Sequence, residues 1–159
     1  VWLELREYSL EEMLNPHSIP DAMLHGKDGE KIPVSALTEN SRHILFWLEE
    51  GREPTEHILN EIMESKDAFE KIQEQLLFIL RSQESLKNTT LIKCLEMLPG
   101  IQVYFYDFGK DKEMTARRMY VDPDKLPLMV VTEGTCQGIF AAAGYSVGMA
   151  DMLLRIFQS

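Results

Sequence analysis

The sequence predicts an α/β fold, a central mixed sheet with helices on both sides, and three observations predict it. Short continuous apolar runs of strand length, "HILFWL" at 43–48 and "QLLFILR" at 75–81, suit strands covered on both faces. Each is followed by a stretch whose apolar residues recur at helical spacing. The last third then changes pattern: "LPLMVVTEGTCQGIFAAAGY" gives two apolar runs around a Glu, Gly, Thr turn, as an antiparallel hairpin requires, and a helix follows. The predicted order is ββ, βαβα, β(α), ββα. Residues 43–48, 75–81, 101–106, 128–133 and 137–142 are expected to form one five-stranded sheet, with 43–48 central and the last two strands antiparallel.

Residues 1–15 carry mixed strand and helix signals, and "VWLEL" alternates like a strand. The two prolines of "NPHSIP" should end any regular element, so a boundary is expected there: an N-terminal segment 1–18, the end of a preceding domain or a linker, and a domain over 19–159. "AMLHGKDGEKIPVSAL" places an Asp-Gly pair between apolar flanks and reads as an N-terminal β-hairpin extension. After the acidic turn that ends 43–48, Ile58, Leu59, Ile62, Phe69 and Ile72 mark a long helix interrupted near Ser65. Pro54 lies in its first turn, where a missing N–H costs nothing. Leu91, Leu95 and Leu98 mark a helix stopped by Pro99 and Gly100. "IQVYFYDF" at 101–108, rich in β-branched and aromatic residues, reads as the third strand, followed by a helical segment around Met114 to Met119. Ser146 is the expected cap of a last helix whose Val147, Ala150, Leu153, Leu154 and Phe157 face inward.

At 159 residues, 45% apolar and 26% charged, the chain has the composition of one globular domain. Its formal charge of −10 repels phosphate backbones and anionic membranes, which excludes nucleic acid as a partner class. Arg117 and Arg118, its adjacent basic pair, read as a solvated helix face. No stretch is long and apolar enough for membrane insertion, and the start shows neither a basic region nor a cleavage site. The absence of an initiator methionine points to a piece of a longer polypeptide. Cys94 and Cys136 lie too far apart for CxxC chemistry and are too few for a zinc site. His17, His25, His43 and His57 fall in different elements with no metal-ligand spacing, so no metal and no cofactor is expected.

The ordered series of pieces resembles the thioredoxin-like superfamily, in its TlpA/ResA-like, AhpC/TSA-related (peroxiredoxin-type) branch, over about residues 19–159. "IPDAMLHGKDGEKIPVSAL" is similar to that family's PDF, L, DG, L, SxL lead-in. "ILFWLEEGREPTEHILNEI" is similar to its strand ending in FW, its CxPC motif and its helix. If the motif's proline is Pro54, the two cysteine positions fall on Arg52 and Thr55. Against the peroxiredoxin pattern, "EPTE" puts Glu53 at the peroxidatic position. No thiol stands at any of these. Pro127, before "LMVV", resembles the family's cis-proline, and Leu126 the residue whose backbone pairs with an extended peptide; a trans proline opening a strand is the plainer alternative.

The resemblance implies a redox-inactive module, the C-terminal part of a larger protein in an extracytoplasmic or cell-envelope setting. Its degenerate groove would bind a peptide, a protein or a neighbouring domain through Trp47, Arg52, Glu53, Pro54, Thr55, Leu126 and Pro127. The bland alternative for Glu53 and Glu56 is that they only satisfy the helix dipole. The enzymatic alternative is a thiol-disulfide oxidoreductase or peroxidase using a displaced Cys136.

Overall fold

Every second side chain of a strand points to the same face of its sheet, so an unbroken apolar run needs cover on both sides. Residues 43–48 receive it. In the computed structural model, which describes residues 17–106, 110–119, 121–122 and 124–159, β4 (Arg42–Trp47) is buried from His43 onward. Ile44 and Phe46 face one apolar cluster, Leu45 and Trp47 the other. The "VWLEL" run, the rest of 1–16 and the Asp107–Phe108 end of the third apolar run lie outside the described residues.

Ahead of β4 come β1 (His17–Ser18), the hairpin β2 (Met23–His25) and β3 (Lys31–Pro33), and the short α1 (Val34–Thr38). Behind it follow α2 (Glu53–Glu64), α3 (Lys66–Glu70), β5 (Leu76–Leu80), α4 (Thr89–Met97), β6 (Gln102–Phe105) and α5 (Lys110–Arg118). The chain then forms β7 (Leu128–Glu133), β8 (Gln137–Ala143) and α6 (Met149–Gln158). All five expected strands are present, and Ser65 does separate α2 from α3. Asn88 caps α4 by accepting the Leu91 N–H at 3.0 Å.

The sheet runs β1-β8-β7-β4-β5-β6-β2-β3, with β4, β5 and β6 mutually parallel and the other pairs antiparallel. It has eight strands where five were expected. The hairpin is not an appendage: His25 of β2 pairs with Phe105 of β6, and the two-residue β1, inside the proline-flanked break, pairs with the start of β8. Lateral pairing this short leaves no periodicity in a sequence, so no pattern announces it.

On one face α2, α4 and α6 lay Ile58, Ile62, Leu91, Cys94, Leu153 and Phe157 against Ile44, Phe46 and Phe78. Phe46 and Phe78 meet edge to face at 5.3 Å. On the other, Val34 of α1, Ala116 of α5 and Leu24 of β2 cover Leu45, Leu77 and Val130. The last helix departs from expectation at its start. Gly148, with φ +86°, is its cap residue, Ser146 offers its carbonyl rather than its hydroxyl to the Met149 N–H, and Val147 is 92% exposed. The left-handed glycine turns the chain after Val147, so the apolar stripe begins two residues later than the spacing predicts. Among the described residues no helix is long and apolar enough to cross a membrane.

Candidate functional site

The register of the central strands brings distant segments together. Trp47, the last residue of β4, lies opposite Leu128, the first of β7, and Leu128 lies opposite Ala143, the last of β8. The approach to β7, the exit from β8 and the start of α2 therefore meet at one end of the sheet. The Leu126–Pro127 peptide bond there is cis. The Gly144 N–H donates to the Pro127 carbonyl at 2.9 Å, and Gly144 itself has φ +80°.

Between these segments lies a groove of about 470 Å³. Arg52 and Pro54 line it from α2, Asp124, Lys125 and Leu126 from the approach to β7, and Ala143 to Ser146 from the exit of β8. Of the residues expected there, Arg52, Pro54 and Leu126 reach the groove. Trp47 and Thr55 are 3% and 2% exposed and Pro127 is buried, so these three lie among the packed side chains. Glu53 is exposed, and its Oε1 is 3.2 Å from His57 Nε2. Asp124, Lys125, Ala143, Gly144, Tyr145 and Ser146 are additions that the sequence reading missed. The hairpin register was the available signal: once 128–133 pairs with 137–142, the residues just beyond each strand must be neighbours.

Arg52 is the N-cap residue of α2 but makes no side-chain capping bond; it pairs instead with Glu49 at 3.4 Å, which also holds Arg81 at 3.2 Å. Thr55, on the first turn, has a buried hydroxyl with no hydrogen-bond partner among the described residues. Tyr145 is fixed from two sides. Its ring stacks on His57 with centroids 4.9 Å apart, and its hydroxyl donates to Glu61. The same carboxylate accepts the Gly148 and Ala150 N–H groups, each at 2.9 Å, and so caps α6 from α2. Burial pushes the Glu61 carboxyl up, but the bonds from Tyr145, Ala150 and Gly148 outweigh it and hold the pKa below the ordinary value. The bond to Glu61 in turn pushes the Tyr145 phenol up to about 12, helped by burial and by the charges of Glu61 and Glu64.

The cysteines lie elsewhere. Cys94 is fully buried in α4, where burial pushes its thiol up to about 12. Cys136 sits in the β7–β8 turn, 7% exposed, with its N–H donating to Thr38 Oγ1 at 2.9 Å. Burial and the Asp21 charge raise its pKa against a smaller opposing effect of Thr38. That turn is at the far end of β7 from the groove, roughly 15–20 Å away at about 3.3 Å per strand residue. Among the described residues no cluster of His, Cys, Asp and Glu could hold a metal.

Three parallel strands, an antiparallel final hairpin, helices on both faces and a cis proline entering the penultimate strand beside the first long helix make one arrangement. The fold is thioredoxin-like. The chain is similar to a thiol:disulfide interchange protein from Bacteroides sp., with TM-score 0.60 and 7% identity over 93% of each chain. It is similar to a thiol-disulfide oxidoreductase from Bacteroides fragilis NCTC 9343, with TM-score 0.59 and 19% identity over 87% of this chain and 98% of that one. A thio-disulfide isomerase from Thermus thermophilus gives TM-score 0.55 and 13% identity over 89% and 95%. At such identities the likeness is one of fold. No family model and no curated protein matches the chain.

Proposed function

We propose that this thioredoxin-like chain is a binding module without thiol chemistry, holding an extended peptide or a neighbouring domain of a larger polypeptide in the groove between Arg52 and Leu126. One observation carries the reading: the end of α2 at the groove keeps its place in the fold but has no cysteine anywhere in residues 49–56. Thiol-disulfide exchange starts from a thiolate, which a helix N-terminus stabilises only where a sulfur is present. Backbone pairing with an extended partner needs no catalytic residue, so binding can persist where redox chemistry cannot. An extracytoplasmic or cell-envelope setting, the TlpA-like branch and a role as the C-terminal part of a longer protein belong to this same reading.

The test is activity. Insulin-disulfide reduction and peroxide turnover with dithiol donors should stay at the level of a boiled control. Turnover above that control, abolished in Cys136→Ala, would overturn the reading.

A further inference from the structure

Resting on that binding reading, we infer that the groove takes an extended segment in which an apolar side chain is flanked by acidic ones. The groove differs in charge from the chain around it. The protein carries a formal charge of −10, yet the groove is lined by two cations, Arg52 and Lys125, against one carboxylate, Asp124. Glu49, which pairs with Arg52, also pairs with Arg81. The Arg52 side chain remains 65% exposed. The Lys125 stem lies against the exit of β8, its Cδ 3.5 Å from the position a Cβ would take on Gly144.

Between the cations the mixed surface includes apolar groups that are already ordered. Pro54, Leu126 and Ala143 line it, and the Tyr145 ring beside them is held by Glu61 and His57. A fixed aromatic wall gives a partner side chain contact area without the entropic cost of ordering a loose one. A volume of about 470 Å³ suits one large apolar side chain and its neighbours along the chain. The acidic remainder of the surface adds selectivity. Its net negative field disfavours non-specific attachment of an acidic segment and draws a basic one without orienting it.

The experiment is a ¹⁵N NMR titration with two acetylated, amidated peptides, GSEFEGSG and GSKFKGSG. The acidic peptide should shift the amides of Leu126, Gly144 and Tyr145, bind about tenfold more tightly than the basic one, and weaken as salt rises. In the doubly reversed variant Arg52→Glu, Lys125→Glu, its fold checked by circular dichroism, the preference should invert. Equal binding, or preference for the basic peptide, with shifts still at the groove would overturn the charge inference and leave the groove reading standing. Shifts at no groove amide with either peptide would overturn both.

Discussion

At its Arg42 end β4 is tied off by side chains; at its Trp47 end it is buried in the cluster against which the groove residues Leu126 and Ala143 pack. The Arg42 guanidinium donates to the carbonyls of Ile156, Phe157 and Ser159 at the end of α6, and pairs with Glu133 at 3.3 Å. The Arg42 carbonyl accepts Gln75 Nε2 at 3.1 Å. A cation at a helix C-terminus meets both the free carbonyls and the negative end of the dipole, so one residue satisfies several groups at once. At the other end the chain leaves through Gly51, at φ +80°, into a helix with no side-chain cap and a buried hydroxyl without a partner among the described residues. One end concentrates several hydrogen bonds on a single guanidinium group, whereas the other leaves Thr55 Oγ1 without a partner among the described residues.

Substitutions should expose that difference. Arg42→Ala is expected to cost the most, about 2–3 kcal/mol in urea unfolding, because several carbonyls and Glu133 lose a charged partner together. The groove amides should keep their chemical shifts; movement of Tyr145 or Leu126 would show that the two ends are coupled.

Glu61→Gln comes next, at about 1–2 kcal/mol, and carries a pH signature. Because the folded pKa of Glu61 lies below its ordinary 4.5, the stability it contributes is complete above that value and is lost as pH falls through the folded pKa. Burial likewise holds His43 below its ordinary 6.5, against a smaller raising effect of its bond to the Ser41 carbonyl. Its contribution is complete above 6.5 and declines as pH falls towards the folded value. Acid weakening should therefore begin below 6.5 and steepen below 4.5, and Glu61→Gln should remove only the second phase in pH-dependent urea melts. A variant that keeps both phases would show that Glu61 is not the group responsible.

The smallest effect has the opposite sign. Thr55→Val keeps the shape of the side chain and removes a buried hydroxyl that has no partner among the described residues, so thermal unfolding should show a gain of about 0.5–1 kcal/mol. A loss of stability would mean that the hydroxyl has a partner, such as a bound water.

How far the sequence announced this architecture depends on the physical signal each part carries. The β4 run could be placed at the centre of the sheet because uninterrupted burial on two faces leaves an uninterrupted apolar string. The attachment of β2 to β6 rests on the pairing of His25 with Phe105, and β1 spans two residues, so neither leaves a period to find. In the site, Arg52, Pro54 and Leu126 were legible through the resemblance of their segments to the thioredoxin-like motif and cis-proline. Tyr145 was not, because its place depends on Gly144 turning the chain and on Glu61, 84 residues earlier, receiving its hydroxyl. Thr55 and Trp47 were assigned to the right end of the sheet but on the packed side of it, since sequence order fixes neighbourhood and not depth.

The burial of Trp47 has an optical consequence. Its indole, 3% exposed, belongs to the same apolar cluster as Leu128, Leu126 and Ala143, and the last two line the groove from above. The chain has one other tryptophan, Trp2, so a Trp2→Phe background leaves Trp47 as the sole indole emitter. Trp47 then reports from beneath the groove floor: a ligand that presses on Leu126 or Ala143 alters the packing around the emitter without touching it.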